Sequence, residues 1–227
     1  MAVSEYQTTK SGYTYLSGPQ RFTASQREKN ALVIAQIMRG FGWTDNCIAG
    51  ILGNMQSESG CNPGAYYGYS SFSAVSFGLV QWDPTSKYQT WADNNGYLPY
   101  HDIEYQCERI KYELENGIQY YNRDYGDYAQ YNLTASEFTH STLEPYYLAC
   151  VFAWNYERSA VVLNGTATQK EALRKQRGGQ ANDMYALISG STPPTPDPGP
   201  DTPSDQGSSS DIMPFLTYLR RRRYVVR

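Results

Sequence analysis

The stretch Gly50-Ile-Leu-Gly-Asn-Met-Gln-Ser-Glu-Ser-Gly-Cys-Asn-Pro63 puts an acid at the edge of an apolar helical stripe. Ile48, Ile51, Leu52 and Met55 recur at helical spacing, so a helix capped by Thr44 or Asp45 buries them along one face. Glu58 falls on the rim of that face at the helix C-terminus, and Ser-Gly-Cys-Asn-Pro then ends the helix. Both surroundings disfavour its charge, because burial removes hydration and the negative end of the helix dipole repels a carboxylate. The expected pKa is therefore raised. A carboxylic acid that keeps its proton near neutral pH can protonate the leaving oxygen of a glycosidic bond. The plainer reading of the same position is an exposed Glu that caps or salt-bridges a helix end.

Working outward, Ser25-Gln-Arg-Glu28 reads as a capping box for a first helix with Leu32, Ala35, Met38 and Phe41 inward, ended by Gly40 and Gly42. Residues 64–83 are rich in Gly, Ser and Tyr and read as a loop or short hairpin leading into Val80-Gln81-Trp82. Three more helices follow. One carries Ile103, Cys107, Ile110 and Leu114 before Gly117, one has Pro145 near its first turn, and one covers Thr168 to Ser189. The predicted fold is mainly α (α+β), with a small β-hairpin lobe after the second helix. Residues 1–24 read as an N-terminal arm and 25–190 as the folded domain. Residues 191–211 hold six prolines and no large apolar residue and read as a disordered linker; 212–227 form an apolar and then basic segment.

Composition narrows the classes of function. Net charge is −3, and the five arginines of the last sixteen residues stand apart from an acid-rich body, so no basic stripe suggests a nucleic-acid reader. No apolar run reaches the roughly eighteen residues of a membrane span, and the first residues lack the charged and apolar regions of a signal peptide. Cys47, Cys61, Cys107 and Cys150 have no CxxC spacing and read as reduced, buried thiols, with a Cys47–Cys61 bridge as the lesser reading. No metal or organic cofactor is implied. The 22 tyrosines suit surfaces that contact sugars or proteins, and equally an aromatic core with wet edges.

Glu58-Ser59, a flexible segment, and then Gly78-Leu79-Val80-Gln81-Trp82 together resemble the pattern of lysozyme-like enzymes and lytic transglycosylases. The stretch Gly42-Trp43-Thr44-Asp45 through Ala65, the "FGLVQW" motif, the helix "EYQCERIKYELENG" and "FAWNYER" are similar to the phage tail lysozyme family in particular. The resemblance covers about residues 27–189. It implies a lysozyme-like fold and cleavage of the β-1,4 bond between N-acetylmuramic acid and N-acetylglucosamine, with peptidoglycan as partner and the virion tail as location. It makes Glu58 the general acid beside Ser59, and places Gln81 and the backbone of Gly78 to Val80 in the wall of a sugar cleft. Tyr66, Tyr67 and Trp82 become candidate stacking surfaces, with core packing the alternative for Trp82. Glu157 and Arg158 match a Tyr-Glu-Arg signature that usually continues with proline; here Ser159 follows, and a structural ion pair between Glu157 and Arg158 is the plainer reading.

Asp83 is the candidate second carboxylate, although Trp-Asp-Pro also reads as a turn start. Hydrolysis and transglycosylation both remain open, as do a free endolysin and a tail-borne enzyme. A different chemistry would use Cys47 in the first turn of its helix as a peptidase or amidase nucleophile, with His101 or His140 as base. A module that binds glycan without cleaving it is the third class. For residues 212–227 the expected partner is another virion protein, with a membrane or an anionic wall polymer as the alternative.

Overall fold

The structure, a computed structural model, describes residues 5–66 and 76–190. The expected linker, the basic segment and Tyr67 lie outside these residues. The described residues are mainly α with one small antiparallel sheet: β1 (Glu5–Thr8) and β2 (Thr14–Ser17), then α1 (Ala24–Gly40), α2 (Asp45–Glu58), α3 (Ser86–Asn95) and α4 (Ile103–Glu115). A 3-10 turn (Gly126–Tyr131) leads to α5 (Ala135–Thr139) and α6 (Pro145–Phe152). A π-helical turn (Ala153–Glu157), α7 (Ala160–Asn164) and α8 (Ala167–Ser189) complete it. Among the described residues no helix is long and apolar enough to cross a membrane.

The centre of the molecule is α2, which packs against α6 and α8. Thr44 caps it as expected, accepting from the Cys47 amide, and Ile48, Ile51, Leu52 and Met55 are wholly buried. Contact with α8 is unusually close at Gly53, where a Cβ would lie 2.7 Å from the Ala181 nitrogen and 2.8 Å from the Arg177 carbonyl oxygen. Only glycine lets the two backbones meet there. Polar groups complete the seam: buried Asn54 donates to the Gly50 and Ala149 carbonyls at 3.0 and 2.9 Å, and Ser57 donates to Gln180 at 2.6 Å.

Helix α1 begins earlier than the sequence pattern suggests. Its cap is Thr23, which forms a capping box with Gln26 in place of Ser25 with Glu28. The buried face shifts with it: Leu32 is 40% exposed, while Asn30 is buried and donates to the carbonyls of Leu16 and Cys61, both at 2.8 Å. Asn30 also accepts from the Leu16 amide at 2.8 Å, so one amide side chain ties the arm, α1 and the end of α2 together. The arm is a β-hairpin that buries Tyr15 and Leu16. The sheet therefore lies before α1. After α2 the described residues hold only the bridges Tyr66–Phe77 and Phe77–Trp82, and helix α3, which sequence periodicity did not single out, follows.

Candidate active site

Glu58 is the last residue of α2, and its side chain is 8% exposed. The rim position read from the sequence is therefore real, but the carboxylate does not stand alone. Arg177 of α8, itself 9% exposed, donates from Nη2 to Glu58 Oε1 at 2.7 Å and from Nη1 to the Asn54 carbonyl at 2.7 Å. Burial and the α2 dipole favour the neutral acid, whereas the guanidinium favours the carboxylate. The expectation of an acid raised by burial and dipole alone left out this third influence.

The residue after Glu58 explains the spacing of the motif. Ser59 Oγ donates to the Leu79 carbonyl at 2.8 Å, so the end of α2 is fastened to the Gly78–Trp82 turn across 20 residues of sequence. That turn is held from three further directions. Gln106 of α4 accepts from the Leu79 amide at 2.8 Å, and its Nε2 donates to the Pro63 and Tyr100 carbonyls at 2.8 and 2.9 Å. Gly78 has φ +81°, and a Cβ there would sit 2.8 Å from Gln106 Oε1. Gln81, 3% exposed and at φ +54°, donates to the Gly78 and Ala65 carbonyls at 2.8 and 3.1 Å and accepts from Ser76 at 3.1 Å. The Gln81 amide thus braces the turn from within.

Trp82 takes the core reading of the two considered. It is 4% exposed and stacks on Tyr88 with centroids 4.7 Å apart; its indole N–H donates to Glu113 of α4 at 3.0 Å. Glu113 is buried and also accepts from Arg109 at 2.9 Å and from the Tyr156 hydroxyl, so every lone pair region of this carboxylate is committed. Tyr66 packs on Phe77 with centroids 4.7 Å apart and lines an open groove of about 320 Å³ with Pro19, Gly64 and His101. Burial raises its phenol pKa.

Asp83 and Glu157 come together from distant parts of the chain. With Gln81, Lys87 and Gln119 they line a recess of about 10 Å³, roughly the space one water needs. Glu157 is buried at the end of the π-helical turn. The Glu157–Arg158 ion pair is not formed: Arg158, at φ +47°, places its guanidinium 4.6 Å from the Tyr121 ring centre.

The cysteine chemistry fails on burial. All four thiols are free and buried, and burial pushes Cys47 well above the ordinary thiol range. The helix N-terminus that would favour a Cys47 thiolate is outweighed by complete loss of solvent, and the thiolate is the reactive form. His140 is spent on the Ser136 carbonyl at 2.9 Å, and His101 lies on the groove with Tyr66.

Arg177, Gln106 and Glu113 escaped the sequence reading. Each sits on a helix whose pattern alone looks amphipathic and ordinary. The Gly178-Gly179 pair after Arg177 was the available signal, since paired glycines inside a helix mark a close approach.

The pattern of the phage tail lysozyme family matches residues 29–188. The chain belongs to this family. It is also 37% identical over 162 residues to morphogenesis protein 1 of Bacillus phage B103, an alignment covering 71% of this chain and 40% of that protein. The matched part of the chain thus spans about two fifths of the length of that relative. Glu58, Ser59 and the Gly78–Gln81 turn fall within the matched residues.

Proposed function

We propose that the protein is a muramidase that cleaves the β-1,4 bond between N-acetylmuramic acid and N-acetylglucosamine, with Glu58 as general acid. The observation that carries this reading is a buried carboxylate at a helix end, paired with Arg177 and tied through Ser59 to the Gly78–Trp82 turn. Burial and dipole keep the proton available, and Arg177 stabilises the carboxylate left after the proton moves to the leaving oxygen. Ser59, Gln81, Gln106 and Trp82 act as positioning residues that fix the backbone of Leu79 and Val80 as one wall of the glycan site. Asp83, on the water-sized recess with Glu157, holds the attacking water or stabilises the oxocarbenium-like transition state.

Glu58→Gln keeps the shape and removes the proton. Purified full chain with sacculi from bacterial cell walls should release new reducing ends, the variant should release none, and both should sediment with the walls. Mass spectra of the products separate hydrolysis, which leaves a reducing N-acetylmuramic acid, from transglycosylation, which leaves the anhydro sugar. Wall cleavage by Glu58→Gln at the wild-type rate would sink the assignment.

The enzyme is further proposed to travel in the virion and open the wall locally at entry, with residues 212–227 docking it on another virion protein. The phage family and the relative's name as a morphogenesis protein support this reading, as does the run of four arginines after an apolar stretch. Detection of the chain in purified particles, lost when 191–227 are deleted, is its test.

A further inference from the structure

The segment after α4 gathers tyrosines around two arginines. Arg123 lies 5.9 Å from the Tyr121 ring centre, 5.8 Å from that of Tyr125 and 5.3 Å from that of Tyr128; its Nη1 donates to the Tyr125 hydroxyl at 2.9 Å. The Arg158 guanidinium lies 4.6 Å from the Tyr121 ring centre. Tyr121 and Tyr125 are exposed, the latter by 59%. Neither guanidinium is ion-paired among the described residues, and the Arg158 Nε–H is buried without a hydrogen-bond partner there. This happens in a chain with 22 acids against 19 Lys and Arg. The nearby acids do not neutralise the pair: Asp127 is held by Lys170, and Asp124 is exposed and bridges to neither arginine.

The patch is continuous with the candidate site. Gln119, on the recess with Asp83 and Glu157, donates to the Tyr156 carbonyl at 2.9 Å, and the Tyr121 amide donates to the Asn155 carbonyl at 3.0 Å. Arg158 is the next residue after Glu157. A glycan strand leaving the recess on this side would therefore run onto tyrosine faces flanked by unpaired guanidinium forks.

We propose that Tyr121, Arg123, Tyr125 and Arg158 form a subsite for the carboxylate-bearing peptide stems carried by the muramic acid residues of peptidoglycan. Tyrosine rings offer flat apolar faces with a hydroxyl edge to sugar and peptide, and planar guanidinium groups match carboxylates in two-point fashion. Held on aromatic faces, the guanidiniums are already oriented, so binding a carboxylate costs less side-chain freedom than it would for arginines loose in solvent. The inference rests on the peptidoglycan reading above and concerns what is recognised beyond the scissile bond.

The test compares full-length wild type with Arg123→Gln and with the exposed-site variant Tyr125→Ser. The substrates are soluble, uncross-linked glycan strands with intact stems and the same strands stripped of stems by an amidase, both prepared from walls freed of phosphate polymers by hydrofluoric acid. Wild type should favour stem-bearing strands about tenfold in kcat/KM, equivalent to about 1.4 kcal/mol, through a lower KM. In each variant the preference should fall toward unity while thermal melting stays near wild type. Equal kcat/KM on the two substrates for wild type, or an equal loss on both in the variants, would overturn the proposal. A preference seen only on parallel preparations that skip the hydrofluoric acid step would overturn it too, in favour of those polymers. Binding to both strand preparations, by fluorescence titration, is read alongside. Stem-dependent binding without any cleavage would refute the muramidase assignment and leave the subsite standing, whereas cleavage without stem dependence does the reverse.

Discussion

Replacing Arg177 by Met tests the construction of the site most directly. The change keeps a long, flexible side chain and deletes the guanidinium that donates to Glu58 at 2.7 Å and to the Asn54 carbonyl at 2.7 Å. Both side chains of the pair are less than a tenth exposed, so solvent replaces little of what is lost. Removing one partner of a buried pair costs about 3–5 kcal/mol, because the other group stays buried without the donor that offset its desolvation. At roughly 2–4 °C per kcal/mol for a domain of this size, the melting temperature should fall by about 6–20 °C. Adding Glu58→Gln removes the stranded charge and should recover most of the loss, giving a strong coupling in the double-mutant cycle.

The same variant has a kinetic signature of fixed sign. With the positive charge gone, the charged form of Glu58 loses the guanidinium that favours it, and its proton is retained to higher pH. The alkaline limb of the kcat/KM profile on purified sacculi therefore moves upward. Additive stability effects of the two substitutions, together with an unmoved alkaline limb, would refute the idea that Arg177 sets the ionisation of the acid.

Other expectations follow from particular contacts. Gly53→Ala should lower stability by about 1–3 kcal/mol, because its methyl group meets backbone 2.7–2.8 Å away on α8. It should also cost activity beyond the stability loss as Arg177 is displaced, which specific activity measured well below the melting point will show. Glu113→Gln leaves Arg109 buried beside a neutral amide and loosens Trp82 and Tyr156; a destabilisation of about 3–5 kcal/mol by denaturant titration is expected, and a loss under 1 kcal/mol would contradict the network. The native protein should leave its four cysteines unreactive to an aromatic disulfide reagent near pH 8, since all are buried and Cys61 and Cys150 are pushed up to about 12. Unfolding in guanidinium should expose four. Asp83→Asn should lower kcat with little change in KM if Asp83 serves the recess water, and an unchanged kcat on sacculi would remove it from the mechanism.

Local order was legible where short-range rules are strong. The Thr44 cap, the buried stripe of α2, the apolar face of α4 and Pro145 at the start of α6 follow from neighbouring residues. The α1 start was misplaced because Thr23-Ala-Ser-Gln and Ser25-Gln-Arg-Glu both satisfy the capping-box pattern. Packing of the arm and Asn30 then chose between them. The N-terminal hairpin was missed because its strands are four residues each and mostly exposed in β1, too short for alternation to stand out.

The sequence by itself determined that an acid lies at the rim of a buried helix, followed by a turn whose Gly-x-x-Gln pattern belongs with it, and it placed the chain among lysozyme-like proteins. Periodicity suffices for the first because it is a property of one helix; the pairing with the turn and the placement among lysozyme-like proteins rest on the resemblance of the motifs. Only the tertiary structure decided the company of Glu58. Arg177 lies 119 residues away in sequence, Gln106 and Glu113 reach the turn from α4, and Glu157 meets Asp83 across a recess. Such meetings depend on how closely helices approach, down to the missing Cβ of Gly53, and no pattern within a single segment encodes them.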